Sequence, residues 1–488
     1  MTLSLRGEIV ALHKRLASLN RYTDIACQFD IYDRASTGKL IATGESSKIY
    51  GGRYDTWTGE YKDDAKSIIH YPCSRKQWEL ICSTKSRIEG NGGRGSGKSE
   101  GGVLWCIKHI IEHPVEHGEI TAPTYRILRI NWNKLLAQIP RYWLYDKTAG
   151  IRLSDKELHF INGAIIRFVS TDNPDALRSW GGSWAWIDEE QEVTDEAVDI
   201  IWPSLRCTSR PQMLSTGTPK PGEYYERHQR LLKQSDSESI HFDSYSNPFI
   251  DPNVFILAKE QMDERRYRQE ILAEWIPVDE ESLIFYNFKR AIHCLDIPQY
   301  KWKDITKNIT KRKCGIAKRY IIGVDYNWDY PNYAVIWQVC HPNKWIAMDV
   351  ISAKGHAGHL AAEIKDRGYA DCVIIDDASG SYNRGSKSST RLMRASGITV
   401  MHPTRNPTIT DRINAALAKM SPVNGDISLF LGMPHCNEIA EAMEACIWAP
   451  GGKKIDKSAG VDHIIDAATY PLHFFEPPAK LPSKPTWI

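Results

Sequence analysis

Gly92 to Ser99 reads Gly-Gly-Arg-Gly-Ser-Gly-Lys-Ser and fits the phosphate-binding pattern GxxxxGK[ST] at every fixed position. Few octapeptides restrict a fold so tightly. Successive backbone N–H groups must converge on phosphate oxygens, and glycines allow this because they carry no Cβ and accept positive φ. Within the loop, Gly92, Gly93, Arg94, Gly95, Ser96 and Gly97 supply the cradle. Lys98 reaches toward the β- and γ-phosphates, and the Ser99 hydroxyl can ligate Mg²⁺. The run Gly101 to Ile107 then reads as a first helix whose N-terminal dipole adds to anion binding. The loop points to a nucleoside triphosphate.

A chain of 488 residues exceeds what one core supports, so two or three domains are expected. Apolar and charged fractions of 42% and 25% are those of a water-soluble protein. No apolar run approaches a membrane span, and the N-terminus lacks the pattern of a secretion signal. Eleven cysteines show no CxxC pairing or zinc-like spacing, which suggests reduced thiols in a cytoplasm. The net charge of +2 excludes a globally basic nucleic-acid binder. Contact with DNA must then use local patches: Lys301 to Arg319, the Arg-rich stretch Ser381 to Arg412, and Lys453, Lys454 and Lys457.

Leu5, Ile9, Leu12, Leu16 and Leu19 space an amphipathic helix at the start of an N-terminal extension, 1–60, in which the following Tyr-, Gly- and Thr-rich sequence shows no clear period. From Tyr71 to Pro221 strand-like and helical runs alternate, as in an α/β domain around a largely parallel sheet. Within it, Leu158 to Phe168 predicts a hairpin with an Asn162-Gly163 type I′ turn. A charged helical stretch, Pro252 to Trp275, and a basic connector lead to a second α/β region from Tyr320. The expected division is an ATPase domain over 61–250, a lid or linker over 251–312, a second domain over 313–476 and a tail over 477–488.

In the first domain, Trp184-Ala185-Trp186-Ile187-Asp188-Glu189-Glu190 is an apolar strand ending in acids. Asp188 is expected in the Mg²⁺ shell and Glu189 beside the attacking water, with Glu190 facing solvent or capping a helix. The strand Met213 to Pro219 ends in small hydroxyl residues, so Thr216 can sense loss of the γ-phosphate. Arg178, in a Gly-bearing loop, can deliver a guanidinium to the transition state from its own or a neighbouring subunit. Upstream, Pro72 and Gln77 stand where an adenine edge could be read.

The second domain carries a different chemistry. Tyr320 to Asp325 and Val373 to Asp376 are apolar strands ending in Asp, and Gly460 to Ala468 reads as a helix start with Asp462, His463 and Asp466 on it. Carboxylates on two strands and a helix can gather a pair of Mg²⁺ or Mn²⁺ ions, which activate water and stabilise a leaving oxygen in phosphodiester cleavage. Asp462 serves equally as an N-cap, and the second ligand is Asp376 or Asp377. Basic segments adjoin all three acidic positions in sequence, as a DNA backbone requires.

This order of motifs resembles the large terminase subunit of tailed bacteriophages over about Tyr71 to Tyr470. Gly92 to Ser99 is similar to that family's phosphate loop, Thr121 to Tyr125 to the strand after it, Ile187-Asp188-Glu189 to its acidic motif and Ser215 to Pro219 to its coupling motif. Tyr267 to Trp275 looks like the segment closing the motor domain. The resemblance implies a P-loop ATPase domain followed by an RNase H-like nuclease domain, with Arg178 as arginine finger and Asp325, Asp376 and Asp466, with His463 beside the last, as nuclease residues. It further implies ATP-driven packaging of double-stranded DNA into a procapsid, cutting of concatemers, a ring of subunits (usually a pentamer) on a portal protein, a small terminase subunit as partner, and residence in the host cytoplasm. A helicase-nuclease of repair or defence is the alternative enzyme. A nucleotide-switched assembly protein with structural carboxylates is the alternative of another class.

Overall fold

In the computed structural model the described residues are 21–45, 48–145, 150–178, 181–220, 222–276, 283–296, 320–327, 331–340, 344–376, 388–449 and 454–477. The expected helix over Leu5 to Leu19, the connector Lys301 to Arg319, Arg384, Lys387, Lys453 and Asp377 lie outside them. The chain divides into two compact units. One takes Met1–Asp251 and Arg268–Ile276; the other takes Pro252–Tyr267 and Pro277–Pro482. The stretch read as one lid is therefore shared, its part up to Tyr267 counting with the second unit and Arg268–Ile276 with the first.

The first unit opens with a sheet that the lack of a clear period in this stretch did not predict. Strands β1 (Tyr22–Arg34), β2 (Leu40–Ala42), β3 (Ile49–Asp55), β4 (Glu60–Lys62) and β5 (Ile69–Ser74) form it. β1 pairs antiparallel with β2 and β3 along its length and parallel with β5. Its signal was a period of two: Ile25, Cys27, Phe29 and Ile31 are all buried. The main sheet has eight strands, β6 (Arg87–Gly92), β7 (His117–Ala122), β8 (Ile151–Arg152), β9 (Glu157–His159), β10 (Ile165–Ser170), β11 (Trp184–Asp188), β12 (Gln212–Gly217) and β13 (Ser237–Phe242). Their order is β13-β6-β12-β11-β7-β10-β9-β8, with parallel pairing from β13 through β10. This is the α/β, parallel-rich sheet that the phosphate loop demands. The loop leaves the C-terminal end of β6, where an open sheet leaves its crevice for ligands.

One local expectation fails. Only Gly163 of the Asn162-Gly163 pair has positive φ, at 85°, whereas a type I′ turn needs it at both residues. The turn instead spans Phe160 to Gly163, closed by the Gly163 N–H to the Phe160 carbonyl at 3.0 Å. Asn162 is held by tertiary bonds, its amide donating to the Ile110 carbonyl at 2.7 Å and the Tyr61 hydroxyl at 2.8 Å. Those partners fix a buried amide and with it the turn.

The helix Lys98–Glu112 packs on the main sheet with no room to spare. A Cβ on Gly102 would lie 2.2 Å from the Trp186 ring, whose N–H donates to Thr216 Oγ1 at 2.9 Å. Gly→Ala inside a helix is ordinarily stabilising by up to ~1 kcal/mol. At Gly102 the sign should reverse, with a loss of about 1–3 kcal/mol as Trp186 is forced aside. Denaturant unfolding of Gly102→Ala against wild type checks this, and a rise in stability would contradict the packing.

The second unit is built on a seven-stranded sheet: β14 (Cys294–Asp296), β15 (Tyr320–Asp325), β16 (Asn332–Cys340), β17 (Lys344–Ala353), β18 (Cys372–Ile375), β19 (Thr399–Met401) and β20 (Leu429–Met433), in the order β14-β20-β17-β16-β15-β18-β19. β15, β16 and β17 form an antiparallel meander, and β18 and β19 continue parallel from β15. This is the RNase H-like arrangement, extended at the β17 edge by β20 and β14. The helix Asp462–Phe475 crosses β15 so closely that a Cβ on Gly323 would fall 1.9 Å from the Ala467 carbonyl oxygen.

Candidate functional site

The phosphate loop turns through Gly95 and Gly97 at φ of 74° and 88°, conformations that L side chains rarely adopt, and enters the helix Lys98–Glu112. Its outer side is braced within the same unit. The Ser244 hydroxyl donates to the Arg94 carbonyl at 2.8 Å, Asn247 Nδ2 to the Gly95 carbonyl at 2.6 Å, and Arg94 pairs with Glu270 at 2.7 Å. The Gln77 amide donates to the Gly97 carbonyl at 2.9 Å and accepts from the Ser74 N–H at 2.7 Å. Gln77 thus reaches the loop through protein bonds and holds it in place. Pro72 lies on β5 and is exposed.

Asp188 ends β11 and is 2% exposed. Its Oδ1 accepts from Ser99 Oγ at 3.0 Å and Thr216 Oγ1 at 2.8 Å, and its Oδ2 accepts from Asn131 Nδ2 at 3.0 Å. The parallel register that sets Asp188 beside Thr216 explains how residues far apart in sequence share one carboxylate. Nothing in the sequence pointed to Asn131, since an Asn on the helix Tyr125–Gln138 resembles any polar helix residue.

A nucleotide with its Mg²⁺ fits these residues. The Ser96 hydroxyl is buried without a hydrogen-bond partner among the described residues, and Lys98 is 8% exposed with no acidic partner among them. Both sit at the N-terminus of a 15-residue helix, where an anion is favoured. Ser99 and Asp188 present two hard oxygens side by side, as a Mg²⁺ ion requires.

Glu189 follows in a left-handed backbone at φ 55°, ψ 45°. Such a residue costs of order 1–3 kcal/mol unless its surroundings enforce it. The enforcement comes through its neighbour. Glu190, expected at the surface, is 5% exposed and pairs with Arg227 at 3.0 Å. Arg227 Nη2 also donates to the carbonyls of Glu190 and Val193, each at 2.9 Å, and Nη1 pairs with Asp195. Burial raises the Glu190 carboxyl and the adjacent guanidinium opposes that shift. Arg227 comes from the helix Glu223–Leu231 and clamps the turn that carries Glu189. On that helix His228 contacts Glu89 of β6 at 2.6 Å, and Tyr224 donates to Asn91 Oδ1 at 2.7 Å.

Arg178 closes the short helix Pro174–Arg178, largely exposed, within 3.7 Å of Asp175 and 3.6 Å of Glu196. No described contact joins it to Asp188 or Glu189.

In the second unit, Asp325 ends β15 and Asp376 directly follows the adjacent parallel β18. Both therefore stand at the same edge of the sheet. Asp325 Oδ2 contacts His463 Nδ1 at 2.8 Å and accepts from Asn327 Nδ2 at 2.9 Å. Asp466 Oδ1 accepts from the buried Arg412 at 2.8 Å. Asp462 pairs with Lys457 at 2.9 Å; it is the first residue of its helix, with Val461 at the cap position and no side-chain capping bond. Asp376 is buried and accepts from Thr390 Oγ1 at 3.4 Å. The hydrogen bond to Asp325 raises the His463 pKa, while burial and then the neighbouring carboxylates raise that of Asp466 against the pull of Arg412. Among the described residues no three acidic, His or Cys side chains form a ready metal-binding group. The donor chemistry is that of a hard divalent cation, but three of these carboxylates are now matched by His463, Arg412 and Lys457. Of the basic segments, Arg391, Arg394, Arg405, Arg412, Lys454 and Lys457 belong to the described residues.

Comparison with known proteins finds a family match over part of the chain. Residues 88–272, from β6 through the Glu270 that pairs with Arg94, match the model of the family described as the phage terminase large subunit. The large terminase of a thermophilic bacteriophage shares the fold at a TM-score of 0.51 and 16% identity, over 82% of this chain and 98% of that one. The ATPase domain of the Thermus phage P74-26 large terminase aligns at 0.37 with 21% identity, over 42% of this chain and 95% of that one. The nuclease domain of the P22 large terminase aligns at 0.30 with 14% identity, over 40% and 94%. No curated protein matches the sequence. Among the described residues, no helix is long and apolar enough to cross a membrane.

Proposed function

We propose that this chain is a large terminase subunit, an ATP-driven motor that moves double-stranded DNA into a procapsid and a metal-dependent endonuclease that cuts concatemeric DNA. The observation that carries the reading is the bonding of Asp188 to both Ser99 and Thr216. It ties the loop that holds the phosphates to the strand that would register their loss. ATP lies on Gly92 to Ser99, with Ser99 and Asp188 holding Mg²⁺. Glu189 takes a proton from the attacking water, and Arg178 from a neighbouring subunit meets the charge that develops on the phosphoryl oxygens. Departure of the γ-phosphate releases Thr216 and the strand end after it, and that shift is passed through Pro252 to Trp275 to the DNA.

In the second domain Asp325, Asp376 and Asp466, with Asp462 and His463 beside them, hold Mg²⁺ or Mn²⁺. Ions held there would supply an activated water and stabilise the leaving oxygen of the cleaved phosphodiester. Among the described residues, Arg391, Arg394, Arg405 and Lys454 are cations available to the flanking phosphates. The working assembly is a homo-oligomeric ring on a portal protein, fed by a small terminase subunit in the host cytoplasm.

Nicking of supercoiled plasmid in Mn²⁺ tests the nuclease half. Asp325→Ala should reduce nicking by at least about 10²-fold, as removal of a group that organises charge in the transition state does. Its ATP hydrolysis should stay at the wild-type rate. Lys98→Ala should show the reverse pattern. If neither substitution changes cleavage or turnover, both site assignments fail. Strand separation by the purified protein would move the reading to a helicase-nuclease.

A further inference from the structure

Gln191 lies two residues past Glu189, partly exposed on the single turn Glu190–Glu192. Its side-chain amide spans two elements. The amide N–H donates to Glu189 Oε2 at 2.5 Å, and the amide oxygen accepts from the Thr218 N–H at 3.1 Å. The orientation is forced by chemistry. A backbone N–H only donates, so Thr218 must face the oxygen, and the NH₂ then faces an ionised carboxylate that only accepts.

Thr218 passes the connection on, since its hydroxyl donates to the Gly92 carbonyl at 2.9 Å, at the mouth of the phosphate loop. Thr218 stands two residues beyond Thr216, the donor to Asp188. Gly217 between them leaves space for the amide: a Cβ there would sit 2.8 Å from Gln191 Oε1. The catalytic carboxylate, the end of β12 and the entrance of the loop therefore share one hydrogen-bonded chain.

A glutamate side chain has several rotamers of similar energy, and few of them aim a carboxylate oxygen at a water beside the γ-phosphate. A donor on Oε2 selects among them and leaves Oε1 for that water. We propose that Gln191 is a positioning residue for ATP hydrolysis, aiming Glu189 and making its aim depend on where Thr218 sits against Gly92. The inference rests on the reading of Glu189 as general base. Any shift of the β12 end on phosphate loss then turns the base away, so hydrolysis and the coupling movement stay in step.

Steady-state ATPase kinetics on the full chain test it, with Gln191→Met, which keeps the length and loses both bonds, and Gln191→Glu, which keeps the acceptor for Thr218 and loses the donor to Glu189. Both should lower kcat by about tenfold or more while KM for ATP stays within about twofold, because the loop and its Mg²⁺ ligands are untouched. In a Glu189→Gln background, Gln191→Met should cost nothing further, since the group it aims is gone. A kcat within twofold of wild type in either variant overturns the proposal. So does a further tenfold loss in the Glu189→Gln background, or a raised KM accompanied by a lowered melting temperature, which would mark a mere brace. Undiminished turnover in Lys98→Ala and Glu189→Gln would instead overturn the nucleotide-site reading itself, which keeps the two failures distinct.

Discussion

Glu189→Gln should reduce ATP turnover by about 10²–10⁴-fold while leaving nucleotide binding within a few-fold of wild type. The separation follows from where the binding groups are. Gly95 and Gly97 shape the loop, Lys98 stands in it, and Ser99 with Asp188 supplies the hard oxygens, none of which passes through the Glu189 side chain. The amide of Gln is nearly isosteric and still accepts from Gln191, so the turn keeps its form, but it cannot take a proton from water. Turnover measured by phosphate release, alongside binding of a fluorescent ATP analogue, checks both halves. Loss of binding in step with turnover would mean that Glu189 holds the loop together and is not the base.

Arg227→Ala is expected to produce the largest loss of stability, about 3–5 kcal/mol. The guanidinium is 8% exposed and satisfies the Glu190 carboxylate together with the carbonyls of Glu190 and Val193. Its removal leaves a carboxylate buried without its cation and two carbonyls without that donor. The physical cause predicts its own remedy. Arg227→Met combined with Glu190→Leu removes both charges and should recover most of the lost stability, because a well-packed apolar pair avoids the desolvation cost. It should not recover turnover, since the carbonyl grip that keeps Glu189 in the left-handed region is gone. Denaturant unfolding followed by tryptophan fluorescence gives the stabilities, and phosphate release gives the turnover. A fall below about 1 kcal/mol in Arg227→Ala would show that the pair is not what anchors this turn.

The reach of the sequence can be judged residue by residue. Gly92 to Ser99 was legible because every constraint on it is local: glycine φ values, a lysine and a hydroxyl at the first turn of a helix. Asp188, Asp325 and Asp376 were legible as acids ending apolar strands, and parallel sheets place such strand ends at one edge. Glu190 was misread because its neighbours, Asp188 and Glu189, suggested a solvated acidic run, whereas its partner lies 37 residues onward in sequence. The Asn162-Gly163 turn was misread for a similar reason: Tyr61 and Ile110 capture the Asn162 amide, and such long-range partners outweigh the intrinsic preference of a dipeptide.

By itself, then, the sequence determined that this chain carries a nucleotide loop in an α/β domain, followed by a second α/β domain with strand-end carboxylates, because backbone geometry and hydrophobic period act over a few residues. Only the tertiary structure decided which groups meet. It brought Asn131 and Thr216 to Asp188, Arg227 to Glu190, Gln191 to Thr218, and His463 and Arg412 to Asp325 and Asp466. Those pairings depend on strand order and on which face of each helix is buried. They are set by the cooperative packing of the whole domain, and a short stretch of sequence does not encode them.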